Sequence, residues 1–224
     1  MNPDSQNDFA RKLQMVQSEL GSSKLLIVSK TRPISEIELY YKLGHRDFGE
    51  NRVQDLLEKA LVLKEGCPEI RWHMIGHLQS NKINQLFSTP NLWAIHSVDN
   101  PDLLGKLLKS ENKLNSELNL FLQVNTSKEV EKSGFEEFDT LLKAAKSIPQ
   151  EGKIKLFGLM TMGTLRTENF TGEARRCFKE LDQLAQKLST ELSLSLETSM
   201  GMSQDYKIAI EEKSSWIRLG TMMF

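Results

Sequence analysis

Hydrophobic positions along the chain form eight short apolar runs, each separated from the next by a longer polar or amphipathic stretch. A short apolar run bounded by turn residues is typical of a buried strand. The predicted strands cover residues 24–29, 46–50, 70–76, 92–98, 118–125, 155–162, 194–201 and 215–220. The second run, RDFGE, has little apolar character and is predicted because the alternation of the others requires a strand there.

Apolar residues at helical spacing fill most of the intervals between these runs. Asn100 followed by Pro101 is typical of a helix start, and Ser203 is predicted to cap the last helix. The predicted helices cover residues 3–20, 34–44, 51–66, 100–113, 134–148, 171–189 and 203–213.

Strands that alternate with helices predict a parallel sheet with helical crossovers. With eight repeats in 224 residues, we expect an α/β protein whose sheet closes into a single (β/α)8 barrel of the TIM type. Residues 1–224 then form one domain, and residues 1–20 supply an extra N-terminal helix packed on the barrel. An open doubly wound sheet is the alternative.

The composition limits the classes of partner that the protein could bind. A net charge of -1 offers no electrostatic feature for nucleic acid or an anionic membrane surface, so neither partner is expected. No apolar run approaches the ~20 residues of a membrane span, and the polar N-terminus does not resemble a signal peptide. Cys67 and Cys177 lie in unrelated contexts, as expected of reduced thiols in a cytoplasmic protein.

The functional groups of such barrels lie at the carboxyl ends of the strands. The first strand is followed by Lys30. Partial desolvation at a barrel mouth favours the neutral amine, which forms a Schiff base with an aldehyde. The alternative is a lysine that only extends from the rim into solvent, and this residue taken alone favours that alternative.

The second and third strand ends add weaker candidates. Asn51 offers hydrogen bonds to a bound ring, although Glu50 and Asn51 serve equally well as helix caps. His73 and His77 are four residues apart, but the first half of this segment is strand-like, so a metal site is not expected. His77, beyond the strand end, is the better candidate for lining a pocket.

The loops after the seventh and eighth strands contain small residues. Ser199 and Gly201 lie in the first loop, with a predicted helix directly after it, and Gly220 and Thr221 lie in the second. Barrels of this type often bind phosphate here through loop amides and hydroxyl groups. Ordinary turn chemistry is the alternative.

Arg218 is the unusual residue of the eighth strand, because WIRLG places a guanidinium among apolar neighbours. A buried cation needs a partner, which a ligand nitrogen, a carboxylate or a salt bridge to a neighbouring strand would supply. An amine for an aldehyde, a cradle for phosphate and a buried arginine together indicate a phosphorylated aromatic aldehyde. The compound that fits is pyridoxal 5'-phosphate (PLP), with its pyridine nitrogen at Arg218.

The order of motifs along the chain also carries a resemblance. It rests on IVSKTRP, FGENRVQ, RWHMIGHLQSNK, HSVDN, LQVNTSKEVEKSGF, FGLMTMG, SMGMSQDYKIAI and IRLGTMMF. From about residue 24 to the C-terminus, the chain resembles the pyridoxal phosphate homeostasis protein family, single-domain relatives of the alanine racemase N-terminal barrel. The resemblance implies PLP held as a Schiff base on Lys30 and Asn51 beside the ring. It also implies that the SMGMS and RLGT motifs hold the phosphate and the pyridine nitrogen.

The expected function is therefore a non-catalytic PLP-binding protein of vitamin B6 homeostasis, with indirect influence on amino-acid metabolism and transfer to PLP-requiring apo-enzymes. A narrow-scope amino-acid racemase is the alternative, but it needs a second base, and none of Tyr40, Tyr41 and Tyr206 is obviously placed for that role. A PLP-free barrel enzyme that forms a Lys30 Schiff base with a phosphorylated sugar is a third hypothesis. Without a partner domain, a monomer is expected.

Overall fold

Eight parallel strands close into a barrel in the computed structural model, which describes residues 3–164 and 167–224. The strands pair in chain order, and β8 pairs with β1 to complete the ring. Their bounds are β1 Lys24–Val28, β2 Asp47–Glu50, β3 Arg71–Met74, β4 Leu92–Val98, β5 Leu118–Gln123, β6 Ile154–Met160, β7 Glu197–Ser199 and β8 Trp216–Leu219. The predicted barrel is confirmed, including the weakly apolar second strand.

Helices follow the strands around the outside. Their bounds are α1 Pro3–Glu19, α2 Ile34–Lys42, α3 Val53–Leu63, α4 Ile83–Phe87, α5 Pro101–Lys109, α6 Phe138–Lys146, α7 Phe170–Leu192 and α8 Tyr206–Glu211, with 3-10 turns at Ser80–Lys82 and Glu111–Lys113. Asn100 caps α5 as predicted, since its side chain accepts a 2.8 Å hydrogen bond from the amide of Leu103. The sequence pattern missed α4, because five residues are too short to establish a helical period.

The predicted cap at Ser203 is wrong. Helix α8 begins at Tyr206 and is preceded by Asp205. The Asp205 carboxylate accepts a 2.6 Å hydrogen bond from the amide of Met202. The segment that looked like the first turn of a helix therefore forms a separate turn that leads into it.

Successive side chains of each strand point alternately into the barrel and out toward the helices, so the protein has an inner and an outer apolar core. In β8, Ile217 and Leu219 belong to the large apolar core between strands and helices, whereas Trp216 belongs to a smaller cluster inside the barrel. Arg218 lies two residues after Trp216 and therefore also faces inward. The barrel interior is thus partly polar, and each polar group in it needs a hydrogen-bond partner.

The N-terminal helix packs on the outside of the barrel. Phe9 of α1 makes an edge-on contact with Tyr40, with ring centroids 5.1 Å apart. The hydroxyl of Tyr206 donates a 2.5 Å hydrogen bond to the Glu19 carboxylate. Of the helices in the described ranges, none combines the length and apolar character of a membrane span.

Candidate ligand-binding site

A cavity of about 490 Å³ opens at the carboxyl ends of the strands. This volume lies within the range of small-molecule sites, roughly 300–1,000 Å³. Its apolar wall includes Val28, Ile75, Met160, Met162 and Met202. Its polar lining is contributed by Lys30, Thr31, Arg32, Asn51, Ser203, Gln204, Arg218 and Thr221.

Lys30 lies two residues beyond the end of β1, at the mouth of this cavity. Thr31 has a φ of 63°, which is unfavourable for a β-branched residue, and its hydroxyl donates a 2.6 Å hydrogen bond to the Lys30 carbonyl. This sharp turn ends the strand and leaves the amine at the rim. Lys30 is exposed at the rim of the cavity that it lines.

Ser29, Glu50 and Lys59 form a polar cluster beneath Lys30. Glu50 is fully buried, and its Oε1 accepts hydrogen bonds of 2.7 Å from both the Ser29 hydroxyl and Lys59 Nζ. Burial raises the pKa of Glu50, against the opposing effect of these two donors. Helix α3 is preceded by Arg52 and has no side-chain cap. Glu50 therefore joins the ends of β1 and β2 instead of capping the helix.

The Arg218 side chain is buried beneath the cavity and also lines it. Nη1 donates to the Ser199 hydroxyl at 2.8 Å, and Nη2 donates to the Thr161 carbonyl at 2.9 Å. Burial lowers the pKa of Arg218 to about 10, with Asp205 acting in the opposite direction. The group still carries its charge at neutral pH. A guanidinium has five N–H groups, so donors remain for a ligand.

Two loops form the side of the cavity above β7 and β8. Met202, Ser203 and Gln204 line it from the first loop, and Gly220 and Thr221 line it from the second. Within the described residues, the cavity lining contains no aspartate or glutamate. Backbone amides and hydroxyl groups in such loops are suited to an anion.

Gly201 shapes the first loop from below. Its φ of +95° lies in the region that favours glycine, and an added Cβ would lie 2.6 Å from the Cβ of Ala209. Only glycine lets the chain pass this close to α8 before it turns toward the cavity at Met202.

The structure brings most of the predicted site residues together. The cavity lining includes Lys30, Asn51, Arg218, Gly220 and Thr221. Ser199 and Gly201 are buried and are not among the lining residues. The Ser199 hydroxyl contacts Arg218, so its position is one layer below the cavity.

His77 lies outside the site, and the structure corrects its predicted position. Its side chain is 67% exposed, and its Nδ1 lies 3.4 Å from Oδ2 of Asp99, outside the cavity. An added Cβ on Gly76 would lie 2.1 Å from the Asn51 carbonyl oxygen. The chain therefore packs backbone against backbone at Gly76, and the next residue is carried away from the site.

Sequence reasoning missed several lining residues. Thr31 and Arg32 follow the predicted lysine, while Met202 and Gln204 lie inside the predicted small-residue loop. Their neighbours in the sequence marked the right segments. The turn at Thr31 and the Asp205–Met202 hydrogen bond decide which side chains of those segments reach the cavity.

Comparison with known proteins decides the family. The model of the alanine racemase N-terminal domain matches residues 5–224. A pyridoxal phosphate homeostasis protein from Synechocystis is 39% identical over 207 residues, covering 91% of each chain. Another, from Pongo abelii, is 38% identical over 209 residues, covering 90% of this chain and 75% of the relative. The chain belongs to the pyridoxal phosphate homeostasis protein family.

Solved structures agree with this family membership. The structure of PipY from Synechococcus elongatus with PLP bound has a TM-score of 0.85 and 33% sequence identity, covering 96% of this chain and 99% of PipY. Alanine racemase from Corynebacterium glutamicum has a TM-score of 0.75 at 13% identity, covering 97% of this chain and 60% of the racemase. The second similarity is one of fold. The predicted resemblance to the homeostasis protein family is thus confirmed.

Proposed function

We propose that this member of the family binds PLP in the cavity, holds it as a Schiff base on Lys30, and acts without catalysis in PLP homeostasis. An influence on amino-acid metabolism would follow indirectly from the supply of PLP. The observation that carries the proposal is that the Lys30 amine, the Arg218 guanidinium and the Gly220–Thr221 loop line one cavity. The names of the relatives and the bound PLP of PipY support the choice of ligand.

The donor set of the cavity fits PLP. The ligand has an aldehyde, an aromatic ring with one nitrogen and a phosphate. Lys30 offers an amine for the aldehyde, and Arg218 offers N–H groups for the ring nitrogen. The hydroxyl groups of Ser203 and Thr221, together with the loop amides, offer donors for phosphate. Asn51 lies in the same lining and offers a hydrogen bond beside the ring.

Each residue then has a defined role. Lys30 would hold the aldehyde carbon of PLP through its amine nitrogen, with the carbonyl oxygen lost as water. Arg218 keeps its protons, so it donates to the ring nitrogen and cannot protonate it fully. When bound, PLP supplies an electrophilic carbon and an electron sink, which is weaker with an unprotonated ring. This arrangement suits a racemase-like step or no catalysis at all, and it argues against transamination and decarboxylation.

The tyrosine hydroxyl groups are engaged away from the cavity. Tyr40 donates to the Met223 carbonyl, Tyr41 to the Glu69 carboxylate and Tyr206 to Glu19. A racemase built on this chain would need another residue as its second base. Deuterium exchange at the α-carbon of alanine or serine, followed by mass spectrometry, distinguishes the racemase from the binding protein.

The exposed position of Lys30 also suits release. A lysine of an apo-enzyme can approach the mouth of the cavity, because the Lys30 side chain is exposed and not enclosed by the barrel. We therefore include in the proposal a monomeric, cytoplasmic carrier that passes PLP to PLP-requiring apo-enzymes. Transfer of PLP to a purified apo-enzyme, measured as recovered activity, tests that part separately.

The direct test of the proposal is borohydride reduction of the protein mixed with PLP, followed by peptide mapping. We expect a phosphopyridoxyl mass on the peptide that contains Lys30. Lys24, at the opposite end of β1, supplies the control. Lys24→Ala should retain the adduct, and Lys30→Ala should lose it while binding PLP more weakly through the phosphate loops. No adduct on Lys30 with PLP in excess would reject the Schiff base and favour the barrel that acts on a phosphorylated sugar.

A further inference from the structure

A continuous chain of hydrogen bonds runs through the barrel interior from the cavity to the opposite end. Arg218 Nη1 lies 2.8 Å from Ser199 Oγ, which lies 2.9 Å from His96 Nδ1. His96 Nε2 lies 3.0 Å from His73 Nδ1, and His73 Nε2 lies 3.1 Å from Asp47 Oδ1. Asp47 is the first residue of β2, so the chain ends at the amino ends of the strands.

The two ends of this chain determine the direction of every hydrogen bond in it. The Asp47 carboxylate only accepts, so His73 Nε2–H donates to it and His73 Nδ1 is left as an acceptor. His96 Nε2–H then donates to His73, and His96 Nδ1 accepts from the Ser199 hydroxyl. The lone pairs of Ser199 remain for Arg218, which only donates. A guanidinium and a carboxylate thus face each other through three neutral groups.

The middle of this hydrogen-bond chain is buried away from solvent, which favours neutral histidines. His73 and His96 are fully buried, and burial lowers the pKa of both. Burial acts to raise the pKa of Asp47, but hydrogen bonds from His73 and Arg71 outweigh it and lower the value. The ring of His96 stacks on Phe121 with centroids 4.1 Å apart, which fixes its plane.

We propose that Asp47, His73, His96 and Ser199 are positioning residues that hold the Arg218 guanidinium toward the ligand from the far end of the barrel. Reversing this hydrogen-bond chain would make His96 Nδ1–H a second donor to Ser199 Oγ beside Arg218, so Ser199 would no longer be oriented by donating to His96. It would also deprive the serine proton of its acceptor. The effect on PLP rests on the proposed function, whereas the direction of the chain does not.

Asp47→Asn is the variant that tests the direction with little change of shape. Arg71 also donates to Asp47, through the second carboxylate oxygen. The amide oxygen of the variant would face Arg71, so its NH2 group would face His73 Nε2, which then has to accept. The same substitution imposes the wrong histidine tautomer in serine proteases. Asp99→Asn is the matched control. Asp99 is also buried beside a histidine, His77, but neither residue belongs to the hydrogen-bond chain.

The first measurement is nitrogen-15 NMR of the histidine rings in the ligand-free protein. We expect His73 and His96 to carry their proton on Nε2 in the wild type, Asp47→Asn to move it to Nδ1 in both, and Asp99→Asn to move neither. A wild-type His96 with its proton on Nδ1 would overturn the proposal. This wild-type result tests the direction of the hydrogen bonds even if Asp47→Asn does not fold.

The second measurement is PLP affinity by absorbance. Asp47→Asn should weaken it about tenfold, the size expected for one hydrogen bond to a charged group. Ser199→Ala interrupts the hydrogen-bond chain between Arg218 and His96. In that background, Asp47→Asn should not weaken PLP affinity further. An equal effect in both backgrounds would reject the positioning role. Wild-type protein that shows the expected tautomers but does not bind PLP would reject the proposed function and leave the chain direction intact.

Discussion

The ammonium group of Lys59 donates a 2.8 Å hydrogen bond to the main-chain carbonyl of Ser29, the residue directly before Lys30. The same group donates to the buried carboxylate of Glu50. A side chain from α3 thus holds together the ends of β1 and β2, from which Lys30 and Asn51 extend to the cavity. The second oxygen of Glu50 has no partner among the described residues, so the carboxylate is held through Oε1 alone, by Ser29 and the cationic Lys59.

Lys59→Met should destabilise the protein by about 3–5 kcal/mol, because it leaves a buried carboxylate without its cation. Urea unfolding at neutral pH measures the change. Lys59→Met combined with Glu50→Leu should recover most of the loss, since no charge is then buried. Lys146→Met, on the exposed end of α6, is the control. A Lys59→Met variant as stable as this control would show that the buried pair contributes little.

Gly201→Ala should cost about 1–3 kcal/mol of stability, because alanine is strained at a φ of +95° and its Cβ would press on Ala209. The loop that continues into Met202 should move, so PLP affinity should fall as well. Gly66→Ala is the control, since an added Cβ there meets nothing within 4 Å. Equal PLP affinities for the two variants would show that the loop after Gly201 does not contribute to PLP binding.

Acid should destabilise the protein through its buried histidines. Burial lowers the pKa of His45 to about 4, so below pH 6.5 the unfolded chain binds a proton there and the folded chain does not. Stability is therefore lost as pH falls from 6.5 toward 4. Between pH 7.5 and 5.5 this residue alone should cost about 1.4 kcal/mol. Unfolding of His45→Gln at both pH values should show a smaller loss than the wild type by that amount. The same pH dependence in both proteins would contradict the assignment.

Arg218→Glu should shift the absorption spectrum of bound PLP, because a carboxylate beside the ring nitrogen promotes its protonation. Arg218→Gln, which is neutral and similar in shape to the glutamate, separates this effect from simple loss of the guanidinium. Titration of each variant with PLP, followed by its spectrum at saturation, makes the comparison. If both variants retained the wild-type spectrum, Arg218 would not contact the ring.

Seven of the eight strands were predictable because burial leaves a short apolar run in the local sequence, and the second followed from the alternation of strands and helices. The positions of Lys30 and Arg218 at the cavity were predictable for a related reason: a charged residue at the end of a buried strand, or within one, differs from its apolar neighbours. The short helix α4 lacked such a pattern. The position of His77 depends on how Gly76 packs against Asn51, a contact between residues 25 positions apart.

The sequence by itself therefore determined the order of strands and helices, the end of the barrel where chemistry gathers, and the residue types available there. The tertiary structure alone decided that Ser199 lies under the cavity, that Glu50 pairs with Lys59, and that His73 and His96 connect Asp47 to Arg218. The physical reason is the range of the interactions. Burial patterns are written along each segment, whereas hydrogen-bond partners inside a barrel come from strands far apart in the chain and meet only when the sheet closes.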